Sequence, residues 1–189
     1  MNDRAGFLAG SIVDMQATIR AIDVKVAGLL VVLLIPLQNL HRVFKHLKHF
    51  CNVTPSWPAM VVACLFLLVW FLAFYSLVRA VAAVGNPVNH INNPTGLNGS
   101  FFLGGLYKLN FIDAFFTRRK VKSRHDPMYV KSRLPVAATD VEAELVFEQM
   151  KLAYIRDIKL HRLYWGLMLS LVWLLLGIAI FIASKFAIS

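Results

Sequence analysis

Two long uncharged segments constrain this chain more than any other feature of its sequence. Residues 163–183 contain no Asp, Glu, Lys or Arg, and residues 59–84 are interrupted only by Arg79. A helix needs roughly 20 apolar residues to cross the hydrocarbon core of a bilayer. Unbroken runs of this kind differ from the short alternating segments of a membrane β-barrel, and a helix satisfies its own backbone hydrogen bonds in lipid. We therefore expect helices that cross a membrane.

A third apolar segment covers residues 26–40, directly after Asp23 and Lys25. The composition agrees with a membrane protein, because 58% of the 189 residues are hydrophobic, against roughly 45–50% in an ordinary soluble domain. Cys51 and Cys64 are the only cysteines, which excludes a disulfide scaffold. The fold class predicted is an all-α membrane protein with three transmembrane helices, of which the first and last extend as cytoplasmic helices.

The distribution of basic residues predicts the orientation of these spans. Of the 20 Lys and Arg residues, sixteen fall within residues 1–25 and 79–162, three within 41–58, and one is Lys185. Basic residues are enriched in cytoplasmic segments, so the N-terminus is expected inside and the C-terminus outside. The predicted regions are 1–84 with the N-terminal helix and two spans, 85–162 as a cytoplasmic connector and helix, and 163–189 as the third span.

Helical patterns extend the first and last spans into the cytoplasm. Residues 11–25 suit an amphipathic helix that continues into the first span, where Pro36 should cause a kink. Residues 139–142, Thr-Asp-Val-Glu, have the form of a capping box and predict the start of one long helix that continues through the third span. We expect an apolar stripe on this helix, formed by Val141, Leu145, Leu152 and Ile155. Charged residues should occupy the rest of its surface: Glu144, Glu148, Lys151, Arg156 and Lys159.

Between the second span and this helix, the sequence changes character three times. Residues 85–100 are rich in Asn, Gly and Pro and predict irregular chain. Residues 101–117 are rich in aromatic side chains and suit a short interfacial helix. Residues 118–133 hold seven of the 20 basic residues. This basic stretch suits a patch that holds anionic lipid, and a surface that binds phosphate or a protein partner is the alternative.

The most informative polar residues lie at the cytoplasmic ends of the first and last spans. Ionisable side chains at that depth are costly and are usually paired or functional. Asp23 and Lys25 are two residues apart, so on a helix they do not face each other, whereas Arg20 could neutralise Asp23. One interpretation is an interhelical ion pair with a snorkelling lysine, and the other is a ligand site. The last helix offers candidate residues for the ion pair and for the ligand site: Arg156, Lys159, His161 and Arg162.

Other residues with possible chemistry form weaker patterns. The spacing of His46 and His49 would place two imidazoles on one helical face, but an amphipathic basic connector explains residues 41–58 better than a metal site. The sequence contains no Gly-rich phosphate loop, no nucleophile elbow and no HExxH motif. The second and third spans contain no carboxylate, which disfavours an ion-coupled carrier. We expect neither an enzyme nor a metal protein.

Three stretches resemble one family. IDVKVAGLLVVLLIPLQNL (22–40) resembles the first span of the Pycsar transmembrane effectors, in which an Asp-x-Lys pair precedes a Leu-rich helix. EQMKLAYIRDIKLHRL (148–163) resembles the helix before their last span, and NGSFFLGGLYKL (98–109) is similar to the segment after their second span. In the second of these stretches, the matching residues are Ala153, Ile155 and Lys159.

The resemblance implies a role in bacterial antiphage defence. Effectors of this kind respond to a nucleotide messenger from a partner cyclase, disrupt the integrity of the inner membrane and cause abortive infection. The messenger implied is a cyclic pyrimidine mononucleotide, bound without any cofactor by a homo-oligomer that does not bind DNA or RNA. Such a ligand needs cations for its phosphate and a flat face for its base. The candidate ligand-binding residues are Arg20, Asp23, Lys25, Tyr154, Arg156 and Lys159.

The sequence leaves a second function open. A small membrane anchor or scaffold would recruit a cytoplasmic partner through residues 101–160 and would need no messenger.

Overall fold

Four α-helices make up nearly all of the described chain. The structure, a computed structural model, describes residues 3–53, 57–82, 87–91 and 136–186, with isolated positions between 123 and 134. The helices are α1 (Asp3–Gln38), α2 (Leu40–Val53), α3 (Trp57–Val81) and α4 (Ala138–Phe186), and a short 3₁₀ helix covers Pro87–His90. The all-α class is therefore confirmed for this part of the chain. The interfacial helix predicted at 101–117 and most of the basic stretch 118–133 lie outside the described residues.

The last helix is continuous through its whole length, as its pattern predicted. α4 has 49 residues, which corresponds to about 74 Å at 1.5 Å per residue. Its first hydrogen bonds run from the N–H groups of Asp140 and Val141 to the carbonyl of Ala137, at 3.1 Å each. The helix thus begins before Thr139, and the predicted position of the cap was wrong. Alanine is the best helix former, so Ala138 extends the helix beyond the capping-box residues.

Pro36 has a stronger effect than the kink expected from the sequence. It lies in the last turn of α1, where its ring removes one backbone donor and collides with the preceding turn. The N–H of Asn39 donates to the carbonyl of Pro36 at 3.1 Å, and the N–H of Val43 donates to the carbonyl of Asn39 at 3.1 Å. The chain therefore turns at Asn39, and a separate helix, α2, begins at Leu40.

The described residues group into two compact units. The first takes its residues from Met1–Gln16 and Asn86–Tyr154, and the second from Ala17–Gly85 and Ile155–Ser189. Helices α1 and α4 each contribute residues to both units.

The core of the second unit joins α1 and α3. Val26 on α1 and Ala73, Leu77 and Ala80 on α3 are fully buried. α4 packs against this core through apolar side chains, among them Leu163, Leu169 and Trp173. A smaller cluster joins α2 to the start of α3 and the end of α4: Leu47, Phe50, Ala59 and Ile180.

Two helices, α3 and α4, are long and apolar enough to cross a membrane. In each, only 11% of the most apolar stretch is buried by the rest of the protein. A core helix of a soluble protein buries such a surface, whereas a helix that contacts lipid exposes it. α1 does not meet the same test, and its apolar segment is the shortest of the three, since it begins after Lys25 and the helix ends at Gln38.

Candidate functional site

An ion pair between α1 and α4 lies at the polar end of the second unit's core. The Nζ atom of Lys159 donates to Oδ1 of Asp23 at 2.5 Å. The side chain of Lys159 is 8% exposed and that of Asp23 is 38% exposed. Both helices continue directly into the apolar core, since Val26 follows Asp23 by one turn and Leu163 follows Lys159 by one turn. The pair therefore fixes the register of α1 against α4 where the polar segments begin.

A second polar tie, between α3 and α4, lies one turn further along α4. The Nη1 atom of Arg162 donates to the carbonyl of Arg79 at 2.6 Å. The hydroxyl of Ser76 donates to the carbonyl of Arg162 at 3.0 Å. The last carbonyls of a helix lack partners within the helix and carry a partial negative charge, so a guanidinium is favoured there. The sequence identified Arg162 only as a candidate for the ion pair or for the ligand site, and its contact with the end of α3 was missed.

The structure brings only part of the predicted ligand-binding set together. Asp23 and Lys159 are in direct contact, and the partner expected for Asp23 on another helix is thereby identified. Arg20 and Lys25 are exposed on α1. The Nε atom of Arg156 donates to Oδ1 of the adjacent Asp157 at 2.9 Å. Of the predicted set, Asp23 and Lys159 therefore form a closed ion pair, and Arg20, Lys25 and Arg156 lie outside that pair.

Tyr154, the aromatic member of the predicted set, belongs to the first unit. Its ring stacks on His90 of the 3₁₀ helix, with the ring centroids 4.5 Å apart and the planes inclined by 14°. One face of the tyrosine is thus occupied by an imidazole in this structure.

The first unit also contains a buried charged cluster. Its charged residues were expected outside the apolar stripe of α4. Glu148 is 1% exposed and forms an ion pair with Lys151, which is 9% exposed. The Nζ atom of Lys151 also lies 4.8 Å from the centroid of the Phe147 ring. Glu144 is buried as well, and residues 144, 147, 148 and 151 have the i, i+3, i+4, i+7 spacing of one helical face.

The expected apolar stripe is correspondingly less buried than predicted. Leu145 is buried, whereas Val141, Leu152 and Ile155 are only half-buried. The first unit is further held by a hydrogen bond from Nε2 of Gln149 to Oγ of Ser11, at 2.8 Å. The prediction failed because Glu and Lys were assigned to solvent by residue type, and a buried acid and base on the same face can neutralise each other.

The described residues form ionic contacts at this site. They contain no group of three or more His, Cys, Asp and Glu side chains that could hold a metal ion. The second unit contains the buried ammonium of Lys159, which is paired with the carboxylate of Asp23. An anion that binds Lys159 would compete with Asp23 for this ammonium.

No family model, curated protein or solved structure matches this chain.

Proposed function

We propose that the protein is an inner-membrane effector of antiphage defence that binds a cyclic nucleotide and then disrupts the bilayer as an oligomer, causing abortive infection. The proposal takes its biological setting from the resemblance to the Pycsar transmembrane effectors. The structural observation that carries it is the ion pair between Asp23 and Lys159, because this contact joins α1 to α4 at a point that an anionic ligand could compete for.

The proposal includes three membrane spans, formed by α1, α3 and α4. On α3, the exposed rings of Trp57 and Tyr75 are separated by about 27 Å of helix, and on α4, Trp165 and Lys185 are separated by about 30 Å. Both distances suit a hydrocarbon core of roughly 30 Å with aromatic and basic residues at its surfaces.

The apolar surface of α1 supports its assignment as the third span. One side of the helix packs into the core through Val26 and Leu33. Other apolar side chains remain exposed, and those of Val31, Val32 and Ile35 are 64%, 52% and 52% exposed. A continuous apolar surface of this kind is stable only against lipid or another protein. With α1 in the bilayer, the N-terminus is cytoplasmic and the C-terminus lies outside.

Ligand binding at Lys159 would change how α1 and α4 pair. A cyclic nucleotide carries a phosphate anion, which accepts charge-assisted hydrogen bonds from an ammonium as a carboxylate does. Exposed Arg20 and Lys25 and half-buried Arg156 add positive potential that would draw an anion to this surface. If phosphate takes the place of the Asp23 carboxylate, the contact that fixes α1 against α4 is lost. A ligand that binds the separated state better than the paired state shifts the equilibrium towards separation.

The output requires more than one subunit. The hydroxyls of Ser76 and Ser170 are directed to backbone carbonyls, at 3.0 Å and 2.7 Å. The spans otherwise expose apolar side chains, so a single subunit cannot line a hydrated pathway. We therefore propose that subunits associate and that rearrangement of their helices breaches the bilayer.

Calorimetry on the protein in lipid nanodiscs tests the ligand-binding step. The titrants are a panel of cyclic mononucleotides, including the pyrimidine forms, and cyclic oligonucleotides. We expect at least one to bind, and Lys159→Met to weaken it by about 10-fold to 100-fold, because one charge-assisted hydrogen bond is lost. Lys185→Met is the matched control, since it removes an exposed lysine at the other end of α4. Absence of binding by every member of the panel would refute the sensor.

A leakage assay tests the output separately. Liposomes loaded with a fluorescent dye and reconstituted with the protein should release the dye only after the ligand is added. Binding without leakage would contradict membrane disruption, whereas the absence of both binding and leakage would favour the anchor or scaffold that recruits a cytoplasmic partner through residues 101–160.

A further inference from the structure

Helix α2 carries its basic and imidazole side chains on one side. These side chains are exposed, and none of them is acidic: His41, Arg42, Lys45, His46, Lys48 and His49. The sequence contains no Asp or Glu at all between Asp23 and Asp113. Among the described residues, no ion pair joins a carboxylate to Arg42, Lys45 or Lys48, so these charges are open to an anion from another molecule.

The opposite side of α2 is apolar but only partly covered. Leu40, Val43, Phe44 and Leu47 have the spacing of one helical face. Towards the end of the helix, Leu47 is buried against residues of α3 and α4. Towards its start, Leu40 and Phe44 are 42% and 51% exposed.

A shallow apolar groove lies beside this uncovered half. It is formed within the second unit by the end of α1, by α2, by α3 and by α4, and its lining includes Pro36, Leu40, Phe44, Trp70 and Trp173. Helix α2 thus borders an apolar groove on one side and exposes basic side chains on the other.

We propose that α2 and this groove bind an anionic phospholipid, with the phosphate on the cationic side and one acyl chain in the groove. The arrangement matches an amphipathic helix that lies in the membrane interface. A free polyanion would match the charge but would leave the groove unused, and an apolar partner would match the groove but would leave the charge uncompensated. A phospholipid satisfies both.

The inference rests on the proposed placement of α3 and α4 in a bilayer and is independent of nucleotide sensing. Asp23 and the end of α1 at Gln38 are separated by about 22 Å of helix. The lipid site and the Asp23–Lys159 pair therefore lie near opposite ends of the apolar part of α1. Nucleotide calorimetry on the α2 variant below should match the unmodified protein, which separates failure of one proposal from failure of the other.

The test uses full-length protein in detergent, with lipid retention measured by native mass spectrometry and thermal unfolding measured by circular dichroism. Phosphatidylglycerol should remain bound and raise the melting temperature, whereas phosphatidylcholine should do neither. Replacing the three fixed charges together, R42Q, K45Q and K48Q, should weaken retention of phosphatidylglycerol by about 10-fold or more. The charge-conserving variant R42K, K45R and K48R should retain it. If the triple variant does not fold, K45Q alone should show a smaller loss in the same direction.

Four outcomes would overturn the proposal. Equal retention of phosphatidylcholine would show that charge does not select the lipid. A rise in melting temperature with glycerol phosphate equal to the rise with phosphatidylglycerol would show that the groove is not used. Equal retention of phosphatidylglycerol by the glutamine and charge-conserving variants would place the lipid elsewhere. A dimer in place of bound lipid in the same spectra would show that a second copy of the chain covers this face.

Discussion

At the scale of single residues, the ion pair of Asp23 and Lys159 joins a half-buried acid to a base that is almost fully buried. Removal of the acid and removal of the base should therefore have different effects. Asp23→Asn leaves the ammonium of a side chain that is 8% exposed without its ion partner. Lys159→Met removes the buried charge and leaves an acid that is 38% exposed and able to hydrate.

We therefore expect Asp23→Asn to destabilise the protein more than Lys159→Met does. Removal of one partner from a fully buried pair costs about 3–5 kcal/mol, and exposure of Asp23 should reduce the cost of Asp23→Asn to about 2 kcal/mol. Unfolding in a denaturing detergent, followed by circular dichroism, measures both variants and the double variant. Equal losses in the two single variants would contradict the asymmetry of burial.

At Gly166, α4 closely approaches a buried side chain of α3. A Cβ atom at this position would lie 2.5 Å from Cδ2 and 2.7 Å from Cγ of Leu77, a side chain with no exposed surface. Such distances are far below van der Waals contact, and a fully buried leucine has little freedom to move aside. Glycine at 166 is therefore required by the packing of the two helices.

We expect Gly166→Ala to lower the stability of the protein by about 1–3 kcal/mol, the usual cost of overpacking. Gly28→Ala is the control, because a Cβ atom there meets nothing within 4 Å and helix propensity alone favours alanine over glycine. Leu77→Ala combined with Gly166→Ala should recover part of the loss relative to the sum of the two single changes. Melting temperatures in one detergent provide the comparison, and equal values for the two glycine variants would refute the close approach.

At the scale of elements, α3 is tied to α1 near the proline that ends it. The indole Nε1 of Trp70 donates to the carbonyl of Leu33 at 3.0 Å. Trp173 on α4 provides a contrast, because its indole Nε1 is buried and has no acceptor within the described part of the chain. The two tryptophans thus separate the effect of a hydrogen bond from that of ring volume.

We expect Trp70→Phe to destabilise the protein by about 1 kcal/mol beyond the loss seen for Trp173→Phe. The first change removes a hydrogen bond between two helices, and the second removes a buried donor that is unsatisfied in the described residues. Both changes remove the same part of the indole ring, so the difference reports the hydrogen bond. Thermal unfolding in detergent measures it, and an equal or larger loss for Trp173→Phe would contradict the assignment.

The helices were more predictable from the sequence than the contacts between them. The long uncharged runs and the pattern from 139 onwards predicted α4 almost completely, because helix formation there depends on local periodicity. Pro36 predicted a disturbance, but the sequence did not show whether the chain would bend or turn. The turn at Asn39 depends on α2 packing Leu47 and Phe50 against other helices, which no local pattern contains.

The sequence indicated that the ionisable residues need partners, but it did not identify those partners. The cost of an ionisable group near the membrane indicated that Asp23 needs a partner, either Arg20 on its own helix or a residue of the last helix. The choice of Lys159 among the four candidates on the last helix follows from the register of α4 against α1, which the sequence does not specify. Burial of Glu148 with Lys151 was missed for the same reason, since it depends on what packs over that face.

At the scale of the whole molecule, the number of spans decides where the functional residues lie. Two helices, α3 and α4, are long and apolar enough to cross a bilayer. If α1 crosses as well, the chain passes through the membrane three times, and the exposed residues Arg4 and Lys185 lie on opposite sides. If only α3 and α4 cross, these two residues lie on the same side.

Labelling of single cysteines distinguishes these two topologies. Arg4→Cys and Lys185→Cys are placed separately in a background in which the only native cysteines are removed, as Cys51→Ser and Cys64→Ala. In intact spheroplasts, a membrane-impermeant maleimide should label the cysteine at 185 and leave the one at 4 unlabelled, because sixteen of the 20 basic residues then face the cytoplasm. Both should react after the membrane is dissolved. Equal reaction of the two cysteines in intact spheroplasts would exclude three spans and place α1 beside the bilayer, and Lys159 would then lose its proposed role between two membrane-entering helices.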